Sequence, residues 1–105
     1  MATAEIYVRV RVEEGASRFR VQQRLSGIGG YIGSYVVENE KVGDGDFDPF
    51  DIAVGYNVNE ERVGATMDAI RNTAGVAGAR GMQNRNEVTP LILFPFEDEV
   101  DQEEG

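Results

Sequence analysis

From residue 5 to residue 13 the chain reads EIYVRVRVE, with apolar and polar positions alternating without a break. Ile6, Val8, Val10 and Val12 fall on one side, and Tyr7, Arg9, Arg11 and Glu13 on the other. That is the period of a strand with one face in a core and one outside it. The period changes over residues 17–26, SRFRVQQRLS. Val21, Leu25 and Ile28 recur there at helical spacing behind Ser17, a good N-cap residue. Arg18 and Arg20 oppose the dipole of such a helix, and Phe19 with Val21 also fits a strand. Two further strands are predicted over 31–38, YIGSYVVE, and 50–58, FDIAVGYNV, joined by an acidic, Gly-rich loop. In the second of these, Phe50, Ile52, Val54, Tyr56 and Val58 are expected to line one face.

The clearest helical pattern runs from Glu60 to Ala74. Asn59 is placed to cap it, Glu60 and Glu61 suit the positive end of the dipole, and Val58 can staple onto Val63. Val63, Met67, Ile70 and Ala74 then lay one apolar stripe along the helix, and Gly75 is placed to end it. A small-residue stretch, VAGARGMQ, a polar link, NRNE, and a last apolar segment, VTPLILFPF, complete the pattern. Pro90 and Pro95 each remove a ladder donor, so that segment reads as an edge strand or an arm over 88–96. The tail from 97 to 105, EDEVDQEEG, is too acidic to bury itself.

The element order is strand, helix, strand, strand, helix, strand, with an extra C-terminal strand or arm. It predicts an α+β domain over residues 1–96 with the ferredoxin-like split β-α-β arrangement (βαββαβ), an antiparallel sheet with two helices on one face. A helix that ends in Gly75-Val76 before a strand resembles the second half of ACT and related regulatory domains. The resemblance covers about a quarter of the chain and implies a small ligand held at a subunit interface; it carries no site residues with it.

Composition narrows the chemistry. The 105 residues include no His, Cys or Trp, which removes the commonest general base, the thiol nucleophile and the best soft metal ligands. Catalysis would have to run on carboxylates, Arg, Tyr or Lys41, and the expectation is that the protein is not an enzyme and needs no cofactor. No cysteine framework, charged leader or long apolar run is present, so a cytoplasmic protein, or one in a particle assembled there, is expected, with no membrane partner.

The formal net charge is −9, which argues against direct nucleic-acid binding. So few lysines among so many acids also fit a high-salt habitat or a GC-rich genome. The charge is uneven: residues 1–24 carry five arginines against three acids, whereas residues 38–61 carry eight acids against Lys41. One copy's basic face is thereby matched to another copy's acidic loop or tail, a head-to-tail contact of the kind that builds rings and filaments.

Four local patterns invite a chemical reading. Asp44, Asp46, Asp48 and Asp51 open like a Ca²⁺ loop, but the glycine and glutamate that such a loop needs at its sixth and twelfth positions are replaced by Pro49 and Gly55. They form a weak metal candidate, and a solvated hairpin loop is the plainer reading. Tyr31-Ile32-Gly33 looks like half of the GIY-YIG nuclease signature, whose other half is missing. Gly27, Gly29, Gly30 and Gly33 fit neither glycine fingerprint for phosphates and suit a tight turn. Ile6-Tyr7-Val8 is similar to the start of an RNA-recognition motif, but the third predicted strand offers Asp51, Ala53, Gly55 and Asn57 where a base would need a ring.

The outer sheet face is the most informative feature. If the first and third strands are neighbours, Tyr7, Arg9 and Arg11 lie beside Asp51, Ala53, Gly55 and Asn57. Either this is a solvated face with Arg–Asp pairs, or it is an interface, since small residues admit a second sheet and Tyr and Arg are interface types. The expected interface residues on this face are Tyr7, Arg9, Arg11, Asp51 and Asn57; on the arm they are Val88, Leu91, Leu93, Phe94 and Phe96. The leading functional expectation is a self-associating assembly subunit, a homo-oligomer or component of a virus-like or other large particle. An ACT-like small-molecule sensor is second. An acidic mimic of nucleic acid that occupies a DNA- or RNA-binding protein is third.

Overall fold

The computed structural model describes residues 3–38, 49–85 and 92–94, with side chains described over 3–38 and 49–83. It is an α+β fold whose elements are β1 (Thr3–Val12), α1 (Arg18–Leu25), β2 (Tyr31–Val36), β3 (Ile52–Asn59), α2 (Val63–Arg71), β4 (Val76–Arg85) and β5 (Ile92–Phe94). The strands form one antiparallel sheet in the order β2-β3-β1-β4-β5. β1 and β3, the two strands with the cleanest alternation, therefore sit at its centre.

Alternation decides which face meets the helices. Ile6, Val8 and Val10 of β1 are buried completely, as are Ile52 and Tyr56 of β3. They pack with Val21 and Leu25 of α1 and with Val63, Met67 and Ile70 of α2 in one apolar cluster. Burying aliphatic side chains of this size stabilises the fold by about 1.5–3 kcal/mol each. α1 begins where Ser17 predicts it, with the Ser17 hydroxyl accepting the Arg20 amide at 3.3 Å. The Tyr56 hydroxyl donates to the Leu25 carbonyl at 2.7 Å, and its ring meets Tyr31 edge-on at 6.0 Å. Burial, followed by the neighbouring Tyr31, pushes the Tyr56 hydroxyl well above the usual tyrosine range.

Two glycines hold the turns between layers. Gly30 has φ +93°, and a Cβ there would stand 2.8 Å from the Asn57 carbonyl oxygen. Gly75 has φ +95°, and a Cβ there would stand 2.6 Å from Val21 Cγ2. Only glycine combines that backbone with that proximity. The Gly75 carbonyl then accepts the Glu13 amide at 2.8 Å, and Arg24 donates to the Ala74 carbonyl at 2.8 Å, fastening the end of α2 to β1 and α1.

The second helix is shorter than its sequence pattern. Glu60–Arg62 form a 3₁₀ turn, α2 starts at Val63, and Asn59 makes no side-chain capping hydrogen bond. Ala74 lies beyond the helix and is exposed, so the buried stripe is completed by Thr66, whose hydroxyl donates to the Arg62 carbonyl at 2.8 Å. The C-terminal apolar segment enters the protein's own sheet: β5 pairs with β4, Phe94 opposite Gly81 and Ile92 opposite Gln83. Among the described residues, no helix is long and apolar enough to cross a membrane.

Candidate functional site

The helices cover one face of the sheet, and side chains of opposite parity on the same strands project from the other. Register places Tyr7 beside Gly55 and Arg9 beside Ala53 across the β1–β3 ladder. β2 continues both rows, with Gly33 opposite Gly55 and Tyr35 opposite Ala53. On the β4 side, Met82 lies opposite Tyr7 and Arg80 opposite Arg9. The resulting surface is a trough floored by Ala53 and Gly55 and walled by Tyr7, Ile32 and Tyr35, about 440 Å³ in volume.

The walls are exposed and apolar. Tyr7 is 39% accessible, Ile32 55% and Tyr35 58%, whereas Ala53 beneath them is 6% accessible. Tyr35 faces outward because its neighbour faces inward: the Ser34 hydroxyl receives a hydrogen bond from Gln22 Nε2 of α1 at 2.9 Å and lies 2.8 Å from the Tyr31 hydroxyl. The Tyr7 ring leans over Gly55, where an added Cβ would stand 3.7 Å from Tyr7 Cδ1. The Tyr7 hydroxyl donates to Glu5 Oε1, and that hydrogen bond, then burial, then the Glu5 charge hold the phenol above its usual range. It stays protonated at neutral pH and acts as a donor and a ring rather than as a base.

Of the residues expected on this face, Tyr7, Arg9, Arg11 and Asn57 occupy outward positions in register. Asp51 does not. It is 1% accessible, its Oδ2 accepts the Val12 amide at 2.8 Å, and its Oδ1 lies 3.3 Å from Arg18 Nε of α1. Phe50 is displaced in the opposite sense: it stands apart from the apolar cluster that contains Ile52, and its ring lies under the Arg9 guanidinium at 5.2 Å. The cause is a bend at Asp51, where β3 leaves its register with β1. β3 stops pairing at Ile52, so the Asp51 carboxylate takes the acceptor position that a continuing strand would have offered Val12. Arg18 then secures the bend, donating also to the Val37 carbonyl and, at 2.7 Å, to the Glu38 carbonyl.

The remaining expected site residues divide differently. Leu93 and Phe94 belong to β5 and extend the chain's own sheet edge. Val88, Leu91, Phe96 and the acids Asp44, Asp46 and Asp48 lie outside the described residues. Among the described residues, no group of three or more potential ligands gathers as a metal site. The walls that sequence reasoning missed are Ile32 and Tyr35. β2 carries a register shift between Tyr31 and Gly33, so its outward residues obey no simple alternation. Comparison with protein-family models, with curated proteins and with solved structures finds no match to this chain.

Proposed function

We propose that this protein is a non-enzymatic, self-associating assembly subunit that docks through the open face of its sheet. The observation that carries the reading is the exposure of Tyr7, Ile32 and Tyr35 around a floor of Ala53 and Gly55. Aromatic and aliphatic side chains beside a small-residue floor fit a second surface closely and gain free energy when water leaves both. A component of a virus-like or other large particle is one concrete form of such a subunit. The ferredoxin-like architecture is part of the same proposal, supported by the element order up to β4 and the strand order β2-β3-β1-β4, with β5 added at the edge.

Sedimentation velocity tests it. The native chain should associate as its concentration rises through the micromolar range, and Tyr35→Asp should shift it towards monomer by placing a charge on the wall of the trough. A chain that remains monomeric up to several hundred micromolar overturns the proposal. So does one whose sheet face saturably binds a single-stranded oligonucleotide through Tyr7 and Tyr35.

A second reading is favoured by one feature. At the Gly-rich turn after α1, a cavity of about 280 Å³ is lined by Gly29, Gly30, Asn57, Asn59 and Arg62, among others. Its position suits an ACT-like sensor of a small polar molecule. The larger and more apolar trough favours assembly as the first reading.

A further inference from the structure

The self-association reading leaves the mode of docking open, and the inference drawn from the register rests on that reading. Outward residues on the sheet face form three rows across β2, β3 and β1. The central row is Gly33, Gly55 and Tyr7. On one side of it lies the row Tyr35, Ala53 and Arg9. On the other side Asn57 lies opposite Glu5, and Ile32 follows at the β2 irregularity.

We propose that two copies pack face to face about a two-fold axis lying along the central row, with facing strands antiparallel. Such an axis exchanges the two flanking rows. Arg9 of one copy then faces Glu5 of the second copy, Ala53 faces Asn57, and Tyr35 packs on Ile32, each contact occurring twice. A cation meets an acid, a small residue meets a larger one, and a ring meets an aliphatic side chain. The two central glycines allow the sheets to approach where the Tyr7 rings meet on the axis.

Charge selects this arrangement over the alternative. An axis along the strands, through β3, would keep each row level with itself and exchange β1 with β2, setting Arg9 against Tyr35 and Glu5 against Ile32 of the second copy. Neither charge would then meet the opposite sign across the contact, whereas the axis along the central row pairs them twice. Size sets the expected strength. Three strands about 4.8 Å apart and three rows about 6.8 Å apart give a face on the order of 300 Å² per copy, smaller than a standard specific interface. Weak association, at high micromolar concentration, is therefore expected.

The absence of cysteine makes the geometry testable by single substitutions. Facing strands about 10 Å apart lie beyond disulfide reach but within that of a short bismaleimide. Tyr7→Cys should therefore be cross-linked to itself by the bismaleimide. Tyr35→Cys should cross-link with Ile32→Cys in a mixture and poorly with itself. Independently, Glu5→Arg or Arg9→Glu alone should raise the dimer Kd about tenfold, and the double exchange should restore it to within about threefold. Should Arg9→Glu fail to fold because Arg9 lies on Phe50, Glu5→Arg carries the test on its own. A native chain that associates while Tyr7→Cys gives no cross-linked pair and Glu5→Arg leaves the Kd unchanged overturns the two-fold arrangement and leaves the self-association reading standing. A native chain that stays monomeric overturns both.

Discussion

The two faces of the sheet are made by the same strands, yet they differ in almost every property that side chains can express. On the inner face Ile6, Val8, Val10, Ile52 and Tyr56 are completely buried under the helices. On the outer face Tyr7, Ile32 and Tyr35 stand exposed above glycine and alanine. On β1 and β3 the inner face is apolar throughout because these positions pack against the helices. The outer face mixes rings, arginines, an acid and a floor of small residues, a pattern that filling one's own core does not require. In a two-layer fold, half of each central strand specifies the structure, while the other half is left to specify what the structure meets.

That division is most easily broken from the inside. Ile70 of α2 is buried completely among the inner-face residues. Ile70→Asp removes its apolar contacts and places a charge without a partner in the core, at a cost of at least about 5 kcal/mol. Domains of this size are typically stable by about 5–15 kcal/mol, so the variant should be largely unfolded by circular dichroism. A cooperative melt near the native temperature would show that this side of α2 does not form the core.

The border between the faces gives an intermediate effect, and it marks where the sequence ceases to be legible. β1 could be read from its residues because ten consecutive positions keep one parity, and most of the core follows from it. The outer trough was half legible: Tyr7, Arg9, Ala53 and Gly55 follow from two regular strands, but Ile32 and Tyr35 sit on a strand with a register shift. Strand alternation places Phe50 and Asp51 in each other's surroundings, because a bend of one residue exchanges the faces of everything beyond it and nothing local announces the bend. Its cause is tertiary, a strand end whose open amide is met by a carboxylate that Arg18 holds from another element. Asp51→Ala should remove the Val12 acceptor and the Arg18 partner together. Arg18 keeps its carbonyl contacts and is part exposed, so the expected loss is about 2–3 kcal/mol rather than the full cost of breaking a buried pair. Urea titration should show a lower midpoint at an unchanged slope, and an unchanged midpoint would mean that Asp51 does not hold the bend.

The smallest effect on stability is expected where the effect on association is largest. Tyr35 is 58% accessible, its neighbours on the outer face do not need it to exclude water from a core, and its backbone pairs with Ala53 whatever side chain it carries. Tyr35→Asp should therefore change the unfolding free energy by no more than about 0.5 kcal/mol when both proteins are monomeric. Dilution is essential to the measurement, because any association of the native chain adds to its apparent stability as concentration rises. The two melting curves should coincide at low concentration and diverge at high concentration, where the native chain alone gains from its partner. Divergence already present at low concentration would place Tyr35 in the chain's own stability. Coincidence at every concentration would mean that this wall of the trough takes no part in docking.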